Sequence, residues 1–230
     1  MNKFISDLLE KYPSLTIKEY NEKYTVLIGE LVLNHEYKNI SIYKELNVEV
    51  IIPYNYPEKL PEIHETGRLL EEKYHINNTG SLCLGTEIDV RWKLAPDYLL
   101  SDWIEKLVFP FFYSYFYYKS YQVSPFGERS HFERGILESI QEFFKLKNMK
   151  ETYIFIKNFS RRKYKRMIKY KKSLPNHFCP CGSGKKIHNC HKKELSDYKF
   201  LFRKYETNFI ENLEEISWIK LEKSKMNLIY

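Results

Sequence analysis

Leu46-Asn47-Val48-Glu49-Val50-Ile51-Ile52-Pro53-Tyr54-Asn55-Tyr56-Pro57-Glu58-Lys59-Leu60-Pro61 is the stretch that decides the fold. Leu46, Val48, Val50 and Ile52 alternate with polar residues up to Ile51, the period of a strand with one buried face. Pro53, Pro57 and Pro61 then remove backbone donors and fix φ, which ends the sheet in a rigid extended turn. Upstream, Tyr24–Leu33 reads as another extended stretch. Asn34-His35-Glu36 and Tyr37-Lys38-Asn39 read as turns around a short strand at Ile40–Tyr43. Residues 2–11 place Phe4, Ile5, Leu8 and Leu9 at helical spacing and stop at Tyr12-Pro13.

Downstream, Gly67–Pro96 shows little periodicity and reads as a long ordered loop, which in a compact domain points to function. From Leu99 the spacing of Trp103, Ile104, Leu107, Val108, Phe111, Phe112, Tyr115 and Phe116 predicts a helix, with Ser101 or Asp102 near its start and a kink at Pro110. Further helices are predicted over about 132–146, over about 150–170, and from Tyr198 to Leu213. Sheet first and helices after makes the fold class α+β.

Hydrophobic residues make up 43% and aromatics 17% of 230 residues, enough for a packed core. The net charge is +7, yet Lys157–Lys193 holds 13 Lys or Arg and no Asp or Glu, leaving 24 basic against 30 acidic residues elsewhere. Such a segment serves as a solvated helix face or as a contact for an acidic protein or nucleic acid; no base-reading motif accompanies it, so nucleic acid is the weaker partner. The first residues are broken by charge, unlike a signal peptide, and no apolar run approaches the ~18 residues of a membrane span. A cytoplasmic chain with reduced cysteines and no membrane contact is expected.

Three of the four cysteines lie in Cys179-Pro180-Cys181-Gly182-Ser183-Gly184-Lys185-Lys186-Ile187-His188-Asn189-Cys190-His191. Thiolates and imidazoles are the ligands zinc takes in closed tetrahedral sites, and Gly182 and Gly184 let the chain turn between them. By spacing alone, His188 competes with His191 for the fourth position. The segment resembles the SEC-C zinc motif, and the resemblance assigns the ligands to Cys179, Cys181, Cys190 and His191, with structural Zn2+ as the cofactor.

The fourth cysteine stands apart in Tyr74-His75-Ile76-Asn77-Asn78-Thr79-Gly80-Ser81-Leu82-Cys83-Leu84-Gly85. A lone cysteine is commonly a small core residue. Set between glycines in a polar loop, with an imidazole and an amide near it, it also has the makings of a thiolate nucleophile with an oxyanion donor.

Across residues 1–120 the chain resembles the ubiquitin-conjugating (UBC) fold: an N-terminal helix, a meander ending in Tyr56-Pro57-Glu58-Lys59-Leu60-Pro61, then His75-Ile76-Asn77 and Gly80-Ser81-Leu82-Cys83-Leu84, then Trp92 and Pro96 before a helix. Ile76 stands where the family has Pro, and the interval from Asn77 to Cys83 is shorter by about two residues, as suits bacterial UBC-like proteins. Pro125-Phe126-Gly127-Glu128-Arg129-Ser130-His131 is similar to the downstream part of those proteins. The resemblance implies a UBC-like domain over 1–148 and a helical extension over 149–230 carrying the motif at 179–191. It implies Cys83 as the thioester-forming residue, Asn77 as oxyanion support, His75 as a loop brace and His131 as a second active-site residue. It also implies a protein partner, a cGAS-like nucleotidyltransferase of CBASS antiphage operons, whose C-terminus is taken as a thioester and passed to an amine. The rival expectations are a non-catalytic UBC or RWD-like binding module, a nucleic-acid-binding zinc protein, and a cysteine hydrolase.

Overall fold

The computed structural model describes residues 2–71, 74–130, 132–159 and 175–203. They form two compact units: Met1–Gly85 with Val90–Glu128, and Thr86–Asp89 with Arg129 onward.

The first unit is a four-stranded antiparallel sheet in the order β1-β2-β3-β4 (β1 Thr16–Tyr20, β2 Tyr24–Tyr37, β3 Ile40–Pro53, β4 Glu62–Glu65). Its centre is a hairpin, with β2 and β3 paired continuously from Tyr24↔Pro53 to Tyr37↔Ile40. Asn34–Glu36 therefore lie inside a strand, and Ile40–Tyr43 is the start of β3. The turn is Lys38-Asn39, with φ of 50° and 64°, the backbone a two-residue hairpin needs to match strand twist. Leu27, Leu31 and Leu33 on β2 and Leu46, Val48, Val50 and Ile52 on β3 are buried on one face.

Helix α1 (Lys3–Lys11) begins with Asn2 Oδ1 accepting from the Phe4 N–H at 3.1 Å and buries Ile5 and Leu8. The region 67–96, expected to be all loop, contains α2 (Glu87–Leu94), whose eight residues carry too few apolar repeats to announce a helix. The long helical run opens with α3 (Leu100–Trp103). Leu99 is its N-cap and no side chain caps it, so neither Ser101 nor Asp102 does that job. A π turn over Ile104–Val108 follows, then α4 (Phe109–Tyr121). The irregularity expected at Pro110 is this turn. Proline offers no N–H to the ladder, and the bond just before it skips one place, from Phe109 N–H to Ile104 O. Trp103, Ile104, Val108 and Phe112 are buried, and α4 packs on β2 and β3.

Polar ties fix the periphery. The Arg91 guanidinium is 1% exposed and donates to Pro57 O at 2.9 Å and Glu58 O at 2.7 Å, holding the proline turn. Tyr56 Oη donates to Tyr98 O at 2.6 Å, and Tyr113 Oη lies 2.8 Å from Ile40 O at the hairpin end.

The second unit gathers α5 (Phe132–Phe143), α6 (Met149–Phe159) and α7 (Lys192–Arg203). Its core is aromatic: Phe144 to Phe155 at 4.3 Å, Phe155 stacked on Phe159 at 5.3 Å, and Tyr198 edge-on to Phe159 at 5.3 Å. Phe143 and Phe144 belong to this core, so α5 packs within the second unit. Most of the basic helix expected over 150–170, and the helix end expected at Leu213, lie outside the described residues.

Gly29 sits where the Ser14–Leu15 turn crosses β2. A Cβ there would come within 2.2 Å of Ser14 O, at a φ of +155°. Gly29→Ala is expected to lower stability by ~1–3 kcal/mol, read as a drop in the urea midpoint with an unchanged slope.

Candidate metal centre and cysteine loop

The four groups of the 179–191 segment converge. The Cys179, Cys181 and Cys190 sulfurs and a His191 ring nitrogen all lie within 4.8 Å of one another. Cys181 Sγ is 3.6 Å from Cys190 Sγ, and His191 Nδ1 is 3.2 Å from both Cys179 Sγ and Cys190 Sγ. Zinc with sulfurs at ~2.3 Å and nitrogen at ~2.0 Å has tetrahedron edges of roughly 3.5–3.8 Å, so the cluster is close to the right size and has the right donor set. It can hold a metal ion, and zinc is consistent with it.

Local backbone explains the convergence. Phe178 bridges Lys186, Cys179 N–H donates to Lys185 O at 2.7 Å, and Ile187 N–H donates to His177 O at 2.9 Å. The first two thiols thus ride a hairpin tip, with Gly182 at φ +82° and Gly184 at φ +72°. One 3-10 turn (Ile187–Asn189) then lifts Cys190 and His191 back beside them at the entry to α7. His191, not His188, is the imidazole gathered with the three sulfurs, and His188 Nδ1 lies 2.8 Å from Pro175 O. Asn158 Nδ2 on α6 donates to Pro180 O at 2.9 Å, and Ile154 abuts Gly182, so the tip is docked on α6.

Ser183 was not singled out by the sequence, yet its hydroxyl lies 3.2 Å from Cys181 Sγ and 3.4 Å from Cys190 Sγ, where it can donate to metal-bound thiolates. Burial pushes the Cys179 thiol up. Three sulfurs this close favour ionisation only when a cation sits among them.

The Cys83 loop is pinned by backbone bonds. Leu82 N–H donates to Ile63 O on β4 at 2.8 Å, Ile76 bridges Leu82, and Cys83 N–H donates to His75 O at 2.7 Å. Between them Asn77 N–H donates to Ser81 O at 2.8 Å, closing a turn in which Gly80 has a φ of +84°. Ser81 and Leu82 are buried, whereas Cys83 is half-buried. His75, at φ +45°, packs edge-on to Tyr74 at 4.9 Å. Burial, and then Glu128, push the Tyr74 hydroxyl up to about 12.

Asn77, His75 and Cys83 therefore share one ordered loop. The Asn77 amide nitrogen lies 3.0 Å from Ser81 Oγ and 3.4 Å from Leu82 O, so in this state it holds the turn. His131 lies outside the described residues. The sequence reading also passed over His64 on β4, whose Nδ1 lies 3.5 Å from where a Gly80 Cβ would sit. The metal cluster and the Cys83 loop belong to different units. No helix among the described residues is long and apolar enough to cross a membrane.

No protein-family model, curated protein or solved structure matches this chain.

His191→Ala is expected to weaken metal binding by at least ~10-fold, while His188→Ala keeps a single ion per chain. Competition with a chromogenic zinc chelator reads both, and metal removal should lower the melting temperature of the wild type.

Proposed function

We propose that the chain is a cysteine-dependent acyl transferase of the UBC-like kind, with Cys83 as the acceptor thiol. The observation that carries the reading is the setting of Cys83. It is half-buried rather than sealed, in a loop fastened to β4, immediately downstream of a helix and a four-stranded meander. That order is the one in which the sequence resembles the UBC family.

Cys83 loses its proton and attacks an activated C-terminal carbonyl of a partner protein, forming a thioester as the activating group departs. An amine then attacks the same carbonyl, loses a proton, and expels the Cys83 thiolate. A carrier of this kind needs a reachable sulfur and no strongly activated water beside it. Asn77 serves as an oxyanion donor once its amide swings from Ser81 to the carbonyl, and His75 braces the loop through its carbonyl. His131 is assigned by resemblance as a second active-site residue.

By the same resemblance the partner is a cGAS-like nucleotidyltransferase in bacterial antiphage defence, and the compartment is the cytoplasm. The ion of the second unit is zinc in a structural role, since all four positions are filled by protein.

A second reading, a non-catalytic UBC or RWD-like binding module, is favoured by one observation: the Asn77 amide is engaged within its own loop.

Intact mass spectrometry of the protein purified with its candidate partner separates the two. Transfer chemistry gives a covalent adduct on Cys83 that added thiol removes, and Cys83→Ser converts it to a thiol-resistant oxyester. Asn77→Ala should slow transfer to the amine by ~100-fold with a smaller effect on loading. If no adduct forms and Cys83→Ser leaves the cellular phenotype untouched, the binding module is the correct reading.

A further inference from the structure

The donors of the metal cluster are not equally enclosed. Cys179 and Cys181 are each 3% exposed, on a tip that rests on α6 through the Asn158–Pro180 bond and the Ile154–Gly182 contact. The His191 ring lies edge-on to Phe155, with centroids 6.4 Å apart. Cys190 is half-buried, at the end of a 3-10 turn whose His188 and Asn189 are exposed. Of the three cysteines, Cys190 is thus the one open to a reagent in solvent. Cys181 Sγ lies 3.6 Å from its sulfur.

Ser183 stands over this pair. Its hydroxyl is 3.2 Å from Cys181 Sγ and 3.4 Å from Cys190 Sγ, and Lys185 N–H donates to the same oxygen at 3.3 Å. The hydroxyl proton is then left to the sulfurs. One proton shared by two thiolates draws negative charge off both, which weakens them as nucleophiles. In the loop joining the two cysteines, nothing lies within 4 Å of where a Gly184 Cβ would sit, so the chain has room to shift there. From 3.6 Å, the sulfurs need to approach by about 1.6 Å to reach a disulfide's ~2.0 Å.

We propose that Cys181 and Cys190 are a hydroperoxide-responsive pair, restrained by Ser183, whose oxidation dismantles the metal centre. The Cys190 thiolate attacks the peroxide: an S–O bond forms, the O–O bond breaks, and the departing oxygen takes a proton from solvent and leaves as water or an alcohol. The Cys181 thiolate then attacks the Cys190 sulfur. An S–S bond forms, the S–O bond breaks, and the hydroxide released takes a proton to become water. Two electrons pass from the sulfur pair to the peroxide. Cys179 and His191 remain, two donors where a closed zinc site needs four. The inference rests on the cluster holding zinc and is independent of any chemistry at Cys83.

The test uses full-length Cys83→Ser protein loaded with zinc, so that only the three clustered thiols can react. Hydrogen peroxide is added with a chromogenic zinc chelator present, and an alkylating quench is followed by peptide mapping. One zinc should be released per disulfide formed, the disulfide should join Cys181 to Cys190, and Cys179 should carry the alkyl group. Adding Ser183→Ala should speed release about tenfold, whereas Ser183→Thr, which keeps a hydroxyl, should leave the parent rate unchanged. Zinc retained at a peroxide dose that oxidises free glutathione overturns the proposal. So does release with Cys179 in the disulfide or with no disulfide, and so does a Ser183→Ala rate within about twofold of the parent's. Should Ser183→Ala fail to load zinc, the disulfide map of the parent decides alone. Protein that takes up no zinc before peroxide is added sinks the zinc reading itself, whereas loaded protein that fails the later steps sinks this proposal alone.

Discussion

Two strands of fourteen residues, paired along their whole length, carry an apolar face that they cannot bury between themselves. Leu27, Leu31, Leu33, Leu46, Val48, Val50 and Ile52 all point to that face. Each such side chain is worth ~1.5–3 kcal/mol when removed from water, so the face is the largest single demand in the first unit. Helix α4 answers it, lying on both strands. Its tyrosines then secure what lies beyond the apolar face, Tyr113 at the hairpin end and Tyr115 at Leu69. The connection from β4 to α2 is fastened by Leu82 N–H to Ile63 O and Cys83 N–H to His75 O, with Leu82 buried and Cys83 half-buried.

The second unit solves a different problem. It has a compact aromatic cluster, and among the described residues the 175–191 segment has only an isolated bridge and one 3-10 turn of its own. There a metal ion can do what a core does elsewhere, because binding free energy is realised only when all four donors are gathered. The hairpin tip, the Asn158 tie and the Ser183 hydroxyl each narrow the arrangements open to the ligands. Each sulfur therefore meets the ion with its direction already set by the backbone.

The four cysteines thus divide by environment. Three lie together with His191 in one cluster that can hold a metal ion. The fourth is held by backbone bonds, with Asn77 in the same loop. The Asn77 amide is engaged within that loop, at Ser81 and Leu82.

Much of this was written in local pattern. Alternation from Leu46 to Ile52, the stop at the prolines, the amphipathic start and the clustering of thiols each depend on residues close in sequence, so the α+β class and the ligand-rich segment could be read directly. Other features depend on partners far along the chain. Asn34–Glu36 look like a turn until β3 supplies a ladder, after which two left-handed residues at Lys38-Asn39 suffice. Strand β4 is four residues long and exists only because β3 offers an edge. His188 and His191 are equivalent by spacing, and only the folded segment brings His191 rather than His188 among the three sulfurs. The hydrogen bond between Asp89 and Ser139 spans fifty residues and leaves no periodic trace in the sequence. Sequence by itself determined which residues wished to be buried or to bind a metal, because those preferences belong to single side chains and their near neighbours. Tertiary structure decided which of them meet, because hydrogen-bond direction and ligand geometry exist only once distant segments are side by side.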